Sequence, residues 1–306
     1  MAKFDFDTPV NRHVSGSLKW EHYAGSDILP MWVADMDFRS PPAVIKALHQ
    51  RAEHGVFGYT IPSQDLGEAV QTRLQVDFNW TVEAEWLVWL PGLVTGLNVT
   101  CRSVGVDGDD VLTAIPVYPP FLSAPGNSRR HLKTVELSQA NGKWVFDFDR
   151  LEKAVTERTR LFILCNPHNP VGRVFDRNEL RQLADICERH NIVICADEIH
   201  CDLVLSRAKQ HLPIAAIDPS IDDRTITLMA PSKTYNLPGL GCSYAIIPNA
   251  NLRREFKRAM AGIVPNVNLM GLSAALAALR DDRQWLTSLL QYLRQNREIV
   301  SEAVKG

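Results

Sequence analysis

Through the middle of the chain, short and largely apolar runs bounded by turn residues alternate with stretches of helical period. Segments 86–90, 110–115, 160–165, 192–196, 225–229 and 243–247 are rich in Val, Ile, Leu and Thr and read as buried strands. Between them, segment 175–190 places Leu180, Leu183, Ala184, Ile186 and Cys187 on one side of a helix. Apolar strands flanked by such helices imply a sheet covered on both faces, and therefore a mostly parallel one. The expected fold class is α/β, three layers deep, with helices on both faces of the sheet. Chemistry on such a sheet sits beyond the carboxyl ends of its strands.

The two ends of the chain have another texture. The first 45 residues, with 30-PMWVADMDFRSPP among them, carry Trp, Asp, Met and Pro without a long periodic segment, and read as an ordered arm laid over something else. After Pro265 the pattern turns helical, and Trp285, Leu286, Leu289, Leu290 and Leu293 form an apolar stripe. That stripe is expected to lie exposed and to promote self-association.

Composition removes several classes. The 306 residues include 33 basic and 35 acidic side chains, a net charge of −2, so no excess positive charge favours nucleic acid. The longest apolar runs are far short of the ~20 residues that cross a bilayer, and the acidic start resembles no targeting segment. The expected location is cytoplasmic. None of the six cysteines forms a C-x-x-C pair, and most lie in apolar segments, so they read as reduced core residues. Cys195, His200 and Cys201 match no zinc ligand spacing, and no metal is expected.

Four segments carry candidate chemistry, each just after a predicted strand. In 228-LMAPSKTYNLPGLG, Lys233 stands at the mouth of the sheet, although taken alone it is also compatible with a solvated loop lysine. In 165-CNPHNPVG, Asn166 and Asn169 lie between prolines that stiffen the loop, which by itself suits a structural turn. In 193-VICADEIH, Asp197 is either a helix cap or a buried carboxylate that needs a cation. In 115-IPVYPPF, Tyr118 is an aromatic ring held between prolines. Together they supply what pyridoxal 5′-phosphate requires: an amine, a carboxylate for the ring nitrogen, donors for the ring hydroxyl and a flat ring to stack.

The order Tyr118, Asn169, Asp197, Lys233 resembles that of the fold-type I pyridoxal phosphate enzymes, the aminotransferase class I/II group. The segments 31-MWVADMDF, 55-GVFGYT, PHNPVG, DEIHCDLVL and PSKTYNLPGL further resemble the MalY/PatB family of cystathionine β-lyases, or C–S lyases, and the resemblance runs along the whole chain. It implies that Lys233 bears the cofactor, that Asp197 pairs with the ring nitrogen, and that Asn169 and His200 hold the ring oxygen. Tyr118 would stack on the ring. The helix opened by 91-PGLVTGL would cradle the phosphate through the amides of Gly92, Leu93 and Val94, with a hydroxyl from Ser232. Tyr59 would reach the phosphate of the neighbouring subunit in a homodimer. Two positions depart from relatives: Ala230 replaces a phosphate-binding Ser, and Gly241 an Arg.

The implied domains are residues 1–45, an arm and part of a small domain; 46–282, the cofactor-binding large domain; and 283–306, the start of a C-terminal small domain. In relatives the remainder of that small domain carries the arginine that grips the substrate carboxylate. The implied function is carbon–sulfur β-lysis of cystathionine or a related cysteine conjugate to a thiol, pyruvate and ammonia. An aminotransferase built on the same residues, or a regulatory interaction role, are the alternatives.

Overall fold

Successive side chains along the central strands enter opposite cores. Leu161, Ile163 and Cys165 join one apolar cluster while Phe162 and Leu164 join another, and the neighbouring strand divides Val111 from Leu112 in the same way. A computed structural model describes residues 4–281 and 283–305; positions 1–3, 282 and 306, at the edges of the three expected segments, lie outside it. Its main sheet contains β1 (Leu87–Leu90), β2 (Asp110–Ile115) and β3 (His131–Glu136). A separate hairpin follows, β4 (Ser138–Ala140) with β5 (Lys143–Val145). The main sheet then continues through β6 (Thr159–Cys165), β7 (Val193–Asp197), β8 (Thr225–Met229) and β9 (Ser243–Ile246).

The seven strands lie in the order β1-β9-β8-β7-β6-β2-β3. β3, β2, β6, β7 and β8 pair in parallel, whereas β9 runs antiparallel to both β8 and β1. The predicted strands 110–115 and 225–229 occur with those bounds, and the others shift by a residue or two. β3 and the hairpin were not predicted. The β3 sequence HLKTVE is at the sheet edge, mostly exposed, and lacks the apolar run that marks a buried strand.

The helices in chain order are α1 (Leu18–Glu21), α2 (Pro42–His54), α3 (Gln64–Phe78), α4 (Leu93–Ser103), α5 (Pro120–Asn127), α6 (Phe148–Ala154), α7 (Arg177–Arg189), α8 (Pro219–Asp222), α9 (Ala250–Met260), α10 (Leu269–Leu279) and α11 (Gln284–Ala303). α4, α5 and α9 cover one face of the sheet through Leu97, Phe121 and Phe256; α6 and α7 cover part of the other through Leu151 and Leu180. α7 starts two residues after its predicted start because Asp176 caps it, accepting from the amides of Asn178 and Glu179, while Glu179 reaches back to the Asp176 amide. Its buried residues are the five named from periodicity.

The expected exposed stripe of α11 needs correction. Trp285 is 2% exposed and Leu289 fully buried, packed with Phe6, Val44, Tyr235 and Ala274. The cover comes from the arm, whose Phe6 ring lies 5.7 Å from Trp285 and 4.9 Å from Phe38. Periodicity could not show this, because the partners lie almost the whole chain apart and the arm has no period of its own. Among the described residues no helix is long and apolar enough to cross a membrane.

Candidate functional site

The parallel register brings the ends of the central strands into line. Cys165 pairs with Asp197, and Asp197 with Leu228, so the loops after β6, β7 and β8 leave the sheet side by side. They border a cavity of ≈ 710 Å³ lined by Lys233, Asp197, His200, Asn169, Tyr118 and Ser232, by Gly92, Leu93 and Val94, and by Met31 to Ala34 of the arm. Nine of the ten candidates named from sequence therefore share one cavity. The tenth, Tyr59, is fully exposed on the loop before α3 and lies outside it.

Asp197 ends β7 and is 4% exposed. Its Oδ1 accepts the Ile199 amide at 3.1 Å. Burial pushes its carboxyl up to about 7, the charge of Glu198 adds to the rise, and the Ile199 amide and Lys233 oppose it. His200 moves the other way, down to about 4, through burial and then the nearby Lys233 charge, so its imidazole is neutral at pH 7.

Lys233 is half-buried after β8, and its Nζ donates to the Ala34 carbonyl at 3.1 Å. Burial lowers its pKa, while the charges of Asp35 and Asp197 oppose the fall. The turn that carries it is anchored from two sides. Below, Thr234 donates to Asp202 at 2.7 Å, Arg73 donates to the Tyr235 hydroxyl at 2.5 Å, and Arg73 pairs with Asp202 at 2.8 Å. Above, the Asn236 side chain accepts the Met36 amide at 2.9 Å and donates to the carbonyls of Met36 and Phe38 at 3.1 and 2.9 Å. A lysine on a free loop would have none of this support.

The loop after β6 is equally fixed. The amide of fully buried Asn166 donates to the Asp197 carbonyl at 3.0 Å, and its Oδ1 accepts the Phe175 amide at 3.2 Å. These bonds make Asn166 a structural member of the loop and leave Asn169 on the cavity wall. Tyr118, 42% exposed, lines the cavity beyond β2.

The first turn of α4 opens at Gly92, and no side chain caps it. Its leading amides are thus available to an anion, at the positive end of an 11-residue helix dipole. Gly241 borders the same end with φ +57°, and a Cβ there would stand 2.8 Å from the Pro91 carbonyl. The backbone therefore leaves no strain-free room for a side chain at position 241. Ala230 is buried beneath Ser232 in the same wall.

The arm was expected to lie over something else, and its residues 31–34 prove to line the cavity. The segment 31–34 was noticed only as a family signature, and its one physical signal was an unusual density of Trp, Met and Asp without period. Cys195 lies in the core with its Sγ 3.6 Å from the Thr100 hydroxyl, away from the cavity. Among the described residues no three of His, Cys, Asp or Glu come together to hold a metal ion.

Residues 26–305 match the aminotransferase class I and II family. The chain is 38% identical over 298 residues to cystathionine beta-lyase PatB of Bacillus subtilis (strain 168), covering 95% of this chain and 77% of that protein. The crystal structure of OvoB superposes with a TM-score of 0.96 at 44% identity, covering 99% of this chain and 80% of the other. The pyridoxal phosphate-bound C–S lyase from Staphylococcus hominis superposes with a TM-score of 0.92 at 31% identity, covering 98% and 77%.

Proposed function

Because the chain belongs to the aminotransferase class I and II family, we propose that it is a pyridoxal phosphate-dependent carbon–sulfur β-lyase acting on cystathionine or a related cysteine conjugate. The names of PatB and of the Staphylococcus hominis enzyme support this choice of reaction. The observation that carries it is Asp197, a carboxylate whose burial pushes it up to about 7, on the wall that also holds Lys233.

The residues present fit the cofactor. A protonated ring nitrogen against Asp197 supplies the missing cation, the uncapped amides of Gly92, Leu93 and Val94 suit a phosphate, and ≈ 710 Å³ admits a molecule of that size. Bound there, the cofactor offers an aldehyde to amines and an electron-poor ring that stabilises negative charge at the substrate Cα.

The chain's side chains do the rest. Lys233 would bear the cofactor and, as a free amine, would take the proton from the substrate Cα; its lowered pKa favours the free amine this needs. Asp197 holds the proton on the ring nitrogen. His200, neutral because buried, shares the ring oxygen with Asn169. Tyr118 flanks the ring and Ser232 adds a hydroxyl to the phosphate cradle. The electron pair left at the Cα would expel the sulfur as a thiolate, the proton taken by Lys233 would balance its charge as a thiol, and one water would hydrolyse the remaining three-carbon imine to pyruvate and ammonia.

Tyr59 completes the cradle of a second copy in a homodimer. Its loop supports this by exposing Val56, Phe57, Tyr59 and Ile61 together. The test is pyruvate formation from cystathionine without an added 2-oxo acid, combined with borohydride reduction and peptide mapping. Pyruvate with the adduct on Lys233 supports the reading. Turnover that requires a 2-oxo acid makes the chain an aminotransferase, and an adduct on another lysine overturns the site.

A further inference from the structure

The chemistry above gives no task to Asp35, a half-buried carboxylate beside the cavity. Asp35 lies in the arm next to Ala34, and its Oδ2 receives Arg12 at 2.5 Å while its Oδ1 is buried with no hydrogen-bond partner. An unpartnered carboxylate oxygen away from water is costly unless a charge faces it. The surrounding bonds hold it in place. Arg12 also donates to Asp37 at 2.7 Å, and Lys19 donates both to the Asp35 carbonyl at 3.0 Å and to Asp37 at 2.6 Å. Beside it stands Lys233, whose Nζ rests on the carbonyl of Ala34, the residue before Asp35.

We propose that Asp35, clamped by Arg12, is the counter-ion that parks the Lys233 amine against the arm whenever that amine is not covalently engaged. The inference rests on Lys233 being the cofactor-bearing lysine. Parking seats the amine against the arm wall of the cavity once it has taken the Cα proton, and it fixes where that proton is held. Asp35 is a positioning residue here, acting through Lys233 and touching neither cofactor nor substrate. The groups that face Lys233 are few. Asp35 comes from the arm, Asp197 from the end of β7, neutral His200 from the loop after it, and Tyr118 from beyond β2. Asp35 and Asp197 are the ones that favour the ammonium against burial, and Asp197 is committed to the ring nitrogen once the cofactor is bound.

The experiment measures the Lys233 amine directly. Competitive acetylation with trace acetic anhydride, read by mass spectrometry across pH, gives the titration midpoint of each lysine in the cofactor-stripped protein. Removing this nearby opposite charge should lower the Lys233 midpoint by about one unit in Asp35→Asn, a roughly tenfold weaker hold on the proton. Asp35→Glu should restore it. Asp37→Asn, which loosens the same clamp without removing the charge beside Lys233, should leave it in place. Asp35→Ser supplies a second uncharged variant if the amide does not fold. An unchanged Lys233 midpoint in the uncharged variants, or an equal shift in Asp37→Asn, overturns the proposal. Failure of the underlying reading shows separately, as a borohydride adduct on a different lysine.

Discussion

Replacing Asp197 by Asn should make the cofactor-free protein more stable at neutral and alkaline pH while removing the function the carboxylate serves. Burial raises the Asp197 carboxyl from 3.8 to about 7, so between those values the folded chain holds a proton the unfolded chain has released. Stability contributed at this site is therefore greatest below pH 4, falls as pH rises to about 7, and is flat above that. The difference of about three units, at ~1.36 kcal/mol each, sets a ceiling of about 4 kcal/mol on the penalty at pH 8. Asn keeps an acceptor for the Ile199 amide and carries no charge, so it escapes the penalty. Equilibrium urea unfolding of both proteins at intervals from pH 4 to 9 gives their difference, in which titrating groups remote from Asp197 cancel. That difference should grow from its value near pH 4 by about 2–4 kcal/mol to a plateau above pH 7. Added pyridoxal phosphate at pH 8 should stabilise the wild type more than the variant, because the charge then meets its cation. A difference independent of pH would show that the Asp197 carboxylate is not strained by its burial, and the case for a missing cation would fall with it.

Other substitutions probe the scaffold and the partner copy. Gly241→Ala forces a side chain into φ +57° and onto the Pro91 carbonyl, and should cost about 1–3 kcal/mol by urea midpoint; a neutral result would mean that the turn before α4 yields freely. Trp285→Ala should cost about 3–5 kcal/mol and make the arm protease-sensitive, since Phe6 loses its seat, and an arm that stays resistant would show that α11 is not what holds it. Lys233→Ala should yield a colourless protein with no borohydride adduct at that position, whereas a persistent visible band would place the cofactor elsewhere. Tyr59→Phe should weaken cofactor retention about tenfold, as expected for the loss of one hydrogen bond to a charged group, in a protein that sediments as a dimer; a monomer with unchanged retention would remove Tyr59 from the site.

The sheet was legible because its strands are buried on both faces and so remain apolar throughout, as in 225-TITLM and 161-LFILC. The edge strand β3 failed that criterion for the same physical reason, since water on its outer face permits His, Lys and Glu. Nine residues of the cavity wall could be named because each follows a recognisable strand and belongs to a motif that resembles a known family. Asp35 was not among them. Its meaning depends on Arg12 and Lys233, one 23 residues before it in the chain and the other 198 after, and no local pattern connects them. Arg73 was missed likewise: on α3 it reads as an ordinary helical arginine, yet it is 9% exposed and bonded to the turn beyond β8.

The one antiparallel strand has a consequence for how the site comes into being during synthesis. β1 is the first strand of the sheet to leave the ribosome, and its only partner in the sheet is β9, whose residues pair Leu87 with Ile246 and Leu90 with Ser243. Until that late segment emerges, β1 has no edge to join, and the helix it feeds, whose opening amides face the cavity, lacks its seat on β9 and α9. The turn bearing Lys233 lies between β8 and β9 and is closed by the same event. Anion cradle and lysine thus mature together, through contacts of very large sequence separation that form slowly. A nascent chain that stops short of β9 should be unable to capture the cofactor, however much of the parallel sheet has already formed.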